Sequence, residues 1–367
     1  MFYYLSQYLT QFWGPFRLLQ SYALLLAGGA FTAALLTLVL LPRLWNRLPR
    51  DRGKAICSDL GGMKSAGKPT GAGFWVTLLI LPVILVFAPL RFWDLMVVAM
   101  LYAAMLFGYL DDRALVPWGE LKKGLLDAVV SIAIAGFAFL GHAEHIDGAL
   151  RMIVWLPFVK GLWYVPFWIY VPATAFILWF TMNATNCSDG VDGLAGTLTV
   201  ITLAMLAVLL YVVVGYRPVA HYFLIPVYSE AAKWAIVVMI VAGGFGGYLW
   251  FNAEPSRVLM GDAGSRFLGI LVATASIMTG NPLLVLALSP IVLVNGGGGL
   301  GKLVLLRGAK RFGFDIGEDN VIRKVRFPLH DHCKKNLGWS NAQVLMRFVL
   351  LQLIVMPILL ILLIKIR

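Results

Sequence analysis

"ATAFILWFTMNATNCSDGVDGLAGTLTVITLAMLAVLLYVVV", residues Ala173 to Val214, sets the polar segment Asn183–Gly196 between two runs of almost unbroken hydrocarbon. A stretch of about 20 apolar residues is needed to cross roughly 30 Å of hydrocarbon, and both flanks approach that length. Lipid offers backbone amides no hydrogen-bond partner, so long apolar flanks mean helices and not a barrel. The stretch therefore reads as two membrane helices joined by a short polar link.

The rest of the chain repeats this pattern. Of its 367 residues, 60% are hydrophobic and 13% charged, with a mean hydropathy of +0.84. Both values lie far outside what a soluble core of this size needs. The apolar windows predict an all-α integral membrane protein of about ten transmembrane helices, near 19–42, 73–90, 92–110, 124–141, 165–182, 194–214, 231–251, 265–280, 282–305 and 342–364. No internal repeat, low-complexity tract or soluble domain interrupts them, so residues 1–367 read as a single polytopic membrane domain. The stretch Arg151–Trp168, rich in Val, Trp and Tyr and split by Pro and Gly, suits a small hairpin at the interface. The N-terminal "MFYYLSQYLTQFWGPF" lacks a basic start and a small-residue cleavage site, and reads as an interfacial segment, not a removable signal.

A formal net charge of +12 would, in isolation, suggest nucleic acid. Its placement argues against that partner. Nineteen of the 30 Lys and Arg fall in four alternate links, 42–72, 111–123, 252–264 and 306–341. The positive-inside rule makes these links cytoplasmic, together with 183–193, and puts both termini outside. The three cysteines, Cys57, Cys187 and Cys333, all lie in links on that side, so no disulfide framework is implied.

The polar chemistry lies on the same side. Asp111 and Asp112 end the third span, and Lys122 and Lys123 approach the fourth. Adjacent carboxylates at the end of a membrane helix call for a divalent cation, a base's task or open water. In the opening stretch, Asn183, Asn186, Asp189 and Asp192 recur at a spacing of three, while Gly190 and Gly193 let backbone amides approach a ligand. A helix cap also uses Asp, Asn, Ser and Gly, but a cap needs one such residue and this segment carries six or more. The third cluster is "MGDAGSR", with Asp262 between glycines before a new span, and the fourth is "HDHCKK", with His330, Asp331 and His332. An H-x-H pair without further Cys or His at zinc spacing is a weak zinc signal. Oxygen-rich Asp and Asn groups suit magnesium or manganese, with phosphate supplying the remaining ligands. "GGGGLGK", Gly296–Lys302, imitates a phosphate-binding loop, but Leu303 stands where Ser or Thr should bind magnesium, and no strand precedes it. The glycine run reads instead as a helix break or a close helix crossing.

Four acidic or imidazole clusters, far apart in sequence, thus share the cytoplasmic side among basic links such as Arg43, Arg47, Arg50, Arg52, Lys54, Lys64 and Lys68. They imply a metal-assisted reaction on a polyanionic substrate at the membrane surface, with the five links forming the active site. A cation-coupled transporter would also place acids in membrane helices. It predicts acids at the bilayer midplane and paired halves, neither of which this sequence displays.

Taken together, "GYLDDR", "NATNCSDGVDGLAG", "LMGDAGS" and "FPLHDHCKKNLGWSNAQVLMRF" resemble the successive signatures of the polyprenyl-phosphate N-acetylhexosamine-1-phosphate transferases. Within that family they look most like the branch that transfers phospho-MurNAc-pentapeptide; "GKPTGAGF", Gly67–Phe74, adds to the likeness. The resemblance implies transfer from UDP-MurNAc-pentapeptide to undecaprenyl phosphate, releasing UMP, by a magnesium-dependent homodimer in the bacterial inner membrane. A sibling transferase would take another UDP-sugar such as UDP-GlcNAc. Carried over residue by residue, the resemblance makes Asp111, Asp112, Asp262, His330 and His332 catalytic, with Asp262, Asp111 and Asp112 at the metal. It assigns substrate binding to Lys68, Lys122, Lys123, Asn183, Asn186, Asp189, Gly190, Asp192 and Leu259. Three positions depart from the family pattern. Asp331 replaces the middle histidine, Leu259 an aromatic expected to stack on uracil, and Asn295 a glutamate of the ninth span.

Overall fold

A computed structural model describes residues 1–51, 66–114, 116, 118–157, 159, 161–228, 230–312 and 324–365. Cys57, Arg52, Lys54 and Lys64, singled out in the sequence, lie outside the described residues. The helices are α1 (Phe2–Leu9), α2 (Tyr22–Leu44), α3 (Ala72–Phe87), α4 (Phe92–Arg113), α5 (Glu120–His142), α6 (Phe167–Cys187) and α7 (Leu194–Val208). They continue with α8 (Arg217–Tyr222), α9 (Ala231–Asn252), α10 (Gly261–Ile277), α11 (Leu284–Leu288) and α12 (Pro290–Arg311). The chain closes with α13 (Leu329–Leu337) and α14 (Asn341–Lys365).

Every one of the ten predicted spans holds a helix, and the chain is an all-α integral membrane protein. Among the described residues, eight helices are long and apolar enough to cross a membrane. The other two are shorter: α3 has 16 residues and α10 has 17. The ninth predicted span, 282–305, is two pieces, because the backbone turns at Ser289 (φ −125°, ψ 42°) and Pro290 opens α12. Such a break leaves backbone groups without helical partners inside the membrane. Gln352 of α14 serves both sides of it: Nε2 donates to Leu288 O at 2.5 Å and Oε1 accepts from Ile291 N at 3.3 Å.

Lipid tails are as apolar as Leu, so the helices associate through close packing of small residues. At the α2–α9 crossing a Cβ added to Gly243 would lie 2.2 Å from Ala30 O, and one on Gly247 2.8 Å from Ala34 O. At the start of α4 the buried Asp94 gathers Lys233 Nζ (2.5 Å) and Trp234 Nε1 (3.0 Å) from α9. That ionic knot holds α4 to α9 at the end of α4 opposite Asp111.

The aromatic stretch around Arg151–Trp168 is more than a hairpin. It forms an antiparallel sheet of β1 (Glu144–Ile146), β2 (Ala149–Val154) and β3 (Trp163–Pro166) in that spatial order. The extra strand comes from the Asp147-Gly148 turn, where both residues have positive φ (53° and 76°), the conformation a tight two-residue hairpin requires. Trp155 Nε1 donates to Thr279 O at 2.9 Å and ties the sheet to the end of α10.

Candidate active site

Three glycine contacts bring the carboxylates together. A Cβ on Gly73 of α3 would lie 2.1 Å from Gly264 Cα of α10, and one on Gly108 of α4 would lie 2.5 Å from Asp262 O. Any larger residue at these crossings would drive α3, α4 and α10 apart. Gly261 (φ +72°) turns the chain into α10 with its Cα against Gly71 and the Asp112 carboxylate, a conformation and a space that only glycine suits.

Asp111 and Asp112 then take different tasks. Asp112 accepts from Asp262 N (3.1 Å, Oδ1) and Ala263 N (3.2 Å, Oδ2), so its carboxylate caps the positive N-terminus of α10. With one hydrogen bond on each oxygen, it fixes the start of α10 beside Asp262. Asp111 is buried; Oδ1 accepts from Trp118 N at 2.7 Å and Oδ2 meets Lys123 Nζ at 2.6 Å. The same ammonium lies 3.8 Å from Asp262 Oδ2. Asp111 and Asp262 thus already share one cation.

Asp262 is the more open of the two carboxylates, and besides Lys123 it meets Asn186 and Arg266. Asn186 Nδ2 donates to Oδ2 at 3.5 Å, Arg266 Nε stands 3.6 Å from the same oxygen, and Ser265 Oγ steadies Asn186 Oδ1 at 2.9 Å. Arg266 is buried and forms a close ion pair with the buried Asp127 of α5. Hard oxygens around a shared cation fit magnesium on Asp262 and Asp111. Among the described residues no three His, Cys, Asp or Glu are gathered as a metal cage, so water or substrate oxygens would complete any shell.

A second lobe is built on backbone pairing between 67–73 and 259–260. Leu259 N donates to Pro69 O at 2.8 Å, and Ala72 N to Leu259 O at 3.0 Å. This pairing presents Lys68, whose Nζ donates to Ser256 Oγ at 3.0 Å and stands 3.7 Å from Asp192 Oδ2. Asp192 also accepts from Ser256 N at 3.2 Å, and Asn252 Oδ1 accepts from Gly193 N at 2.8 Å, which locks the link 183–193 against 252–258. Leu259 is half-buried between these strands of chain.

The third lobe is His330. It is buried, its backbone N donates to Asn295 Oδ1 at 2.8 Å, and its ring lies against Gly190, where an added Cβ would sit 2.2 Å from Nε2. Burial pushes its pKa down to about 4, with Asp331 raising and Lys334 lowering it.

Two residues expected at the site, Lys122 and His332, turn away from it. Lys122 is exposed, with Nζ 3.6 Å above the Trp118 ring, because neighbours on a helix differ by about 100° and Lys123 takes the inward face. His332 follows His330 by two, a spacing that cannot share a helix face, and its Nδ1 accepts from Arg326 N at 3.3 Å. Asn183 donates to Trp179 O of its own helix at 2.9 Å and also hydrogen-bonds Asp127, the acid paired with Arg266, so it supports the site from behind. Asp189 N donates to Asn186 O at 3.2 Å, and the Asp189 side chain is half-buried in the link. Conversely, sequence reading passed over Asp127, Ser256, Asn252 and Trp118. Only Asp127 carried a signal, as a lone acid inside an apolar span.

The profile of glycosyl transferase family 4 matches residues 95–280. The phospho-N-acetylmuramoyl-pentapeptide-transferase of Treponema pallidum (strain Nichols) is 42% identical over 346 residues, 94% of this chain and 91% of the relative. That of Borreliella burgdorferi (strain ZS7) is 29% identical over 362 residues, covering 92% of this chain and 95% of the relative. That of Borreliella afzelii (strain PKo) is 27% identical over 357 residues, at 92% and 95% coverage.

Proposed function

The chain belongs to glycosyl transferase family 4, among the phospho-N-acetylmuramoyl-pentapeptide-transferases, and from that premise we propose how its residues carry out the reaction. It transfers phospho-MurNAc-pentapeptide from UDP-MurNAc-pentapeptide to undecaprenyl phosphate, giving lipid I and UMP. The observation that carries the mechanistic reading is the meeting of Asp111, Lys123 and Asp262, on three different helices, around one cation position.

An oxygen of the lipid phosphate attacks the phosphorus that bears the sugar, and the bond from that phosphorus to the bridging oxygen breaks. UMP leaves with the electron pair. Magnesium, when bound, supplies charge neutralisation on the diphosphate. Asp262 and Asp111 would hold the ion, while Asp112 fixes the entry of α10 and so the position of Asp262. Lys123 and Arg266 add fixed positive charge where negative charge accumulates on the leaving phosphate. Lys68, Asp192 and Ser256 form a polar wall for the uridine, and Leu259 offers it apolar contact in place of an aromatic stack.

The acids lie at helix ends and converge at one end of the bundle, where a lipid phosphate would sit at headgroup level. The placement of basic links makes that end cytoplasmic, in the inner membrane, with both chain termini outside. A homodimer follows from the family reading, and light scattering in detergent should return twice the chain mass.

Purified protein in detergent should release UMP from UDP-MurNAc-pentapeptide and undecaprenyl phosphate, and chelation of divalent metal should stop it. Release with UDP-GlcNAc and none with the MurNAc substrate would overturn the substrate assignment. Release that persists under chelation would overturn the metal.

A further inference from the structure

Asn295 is buried in a π turn, Leu293–Gly297, at the base of the His330 lobe. The next residue, Gly296, is pressed so closely on α6 that an added Cβ would lie 1.9 Å from Ala184 O, and Ser188 Oγ donates to Val292 O at 3.3 Å. The turn is therefore anchored to the same link that carries Gly190.

The hydrogen bonds at Asn295 determine how its amide is turned. Backbone nitrogen only donates, so the atom 2.8 Å from His330 N must be the amide oxygen. Rotating the amide would set an NH2 against an N–H. That oxygen also lies 3.2 Å from His330 Nδ1, and beside an acceptor Nδ1 must carry the proton. Nε2 of the neutral ring then holds a lone pair, directed at the glycine link. Its nearest acid, Asp331 Oδ1, is 3.8 Å away, beyond hydrogen-bond reach. Among the described residues the charged groups acting on the ring are Asp331 and Lys334 on its own helix, and the π turn contributes none.

We propose that Asn295 is a positioning residue that holds His330 in the Nδ1–H form, so that Nε2 meets the substrate as a neutral hydrogen-bond acceptor. An acceptor cannot bind a deprotonated phosphate oxygen. The group it takes is a substrate hydroxyl or amide N–H, which makes His330 a specificity contact to the nucleoside or the sugar-peptide and not a diphosphate clamp. The substrate side of this inference rests on the reaction proposed above; the tautomer does not.

The test uses the full chain in detergent with 15N-labelled histidine. Of its five His, His330 is assigned by the signal lost in His330→Gln. At pH 7 and without substrate, the protonated nitrogen should be Nδ1. Asn295→Asp keeps the shape and the acceptor but adds a charge, and should move the His330 titration midpoint up by about one to three pH units. The acid limb of kcat/KM for UMP release should move the same way, with the rate at alkaline pH close to that of the unsubstituted protein. Asn295→Ala should lose the Nδ1–H preference and raise KM more than it lowers kcat. An Nε2–H ring or an imidazolium at pH 7, or an unchanged tautomer in Asn295→Ala, would overturn the proposal. Nδ1–H in a protein that releases no UMP would uphold the tautomer and overturn the reaction.

Discussion

Asp262 and Asp112 sit one hydrogen bond apart, yet their substitutions should behave differently. Asp262→Asn removes the open carboxylate from the shared cation position and should lower UMP release more than a hundredfold, on the order of the several kcal/mol a metal site supplies. Its melting temperature in detergent should barely change. Asp112→Asn weakens the cap on α10 and should cost about 1 kcal/mol of stability, with partial activity retained, both read from melting and UMP release. The reverse order of effects would exchange the two roles. At His330 the sign of the pH dependence follows from burial. The folded protein keeps the ring neutral down to about 4, whereas the unfolded chain protonates it near 6.5. Its stabilising contribution is thus fully present above pH 6.5 and is lost as pH falls toward 4. The drop in melting temperature from pH 7 to pH 5 should be smaller in His330→Gln than in the unsubstituted chain. The kinds of residue at the site were legible in the sequence, because carboxylates and imidazoles stand out in an apolar chain. Which of two adjacent residues faces inward was not. Lys122 and Lys123 are chemically identical, and only the rotation of α5 against α4 and α10 separates them.

Among the elements, α3 and α10 matter most, because they are short and their crossing sets the height of Asp262. Gly73→Ala places a methyl carbon within 2.1 Å of Gly264 Cα, so one helix must shift. It should destabilise the protein by about 1–3 kcal/mol, seen in thermal melts, and cut UMP release by more than the lost folded fraction explains. Equal losses would mean that the crossing is structural alone. Span positions followed from hydropathy because lipid imposes a length on every crossing helix. The break at Ser289 and the π turn at Leu293–Gly297 did not. Glycine permits a break, a close crossing or both, and the packing of Gly296 on Ala184 O selects both. The third strand of the β1–β3 sheet was missed because "EHIDGA" is polar and carries no strand signal beyond its Asp-Gly turn.

For the whole molecule, the distribution of Lys and Arg predicts orientation. A cysteine introduced at Gly338, in the exposed turn after α13, should react with an impermeant maleimide only from the cytoplasmic side of spheroplast-derived vesicles. One introduced at Gly161, near the β-sheet, should react only from the outside, both tests being made in a chain whose Cys57, Cys187 and Cys333 are replaced by Ser. The reverse labelling would invert the topology and place the site outside. The sequence by itself determined the class of molecule, the membrane spans and the polar motifs, since each depends on local composition and on the fixed thickness of a bilayer. The division of labour among those motifs was decided by tertiary structure alone. Asp112 caps a helix, Asp111 shares a lysine with Asp262, and His330 reaches Gly190 while His332 turns away. Those outcomes depend on how helices far apart in sequence rotate and approach one another. In lipid, close contacts at small residues govern that approach, and hydropathy does not encode them.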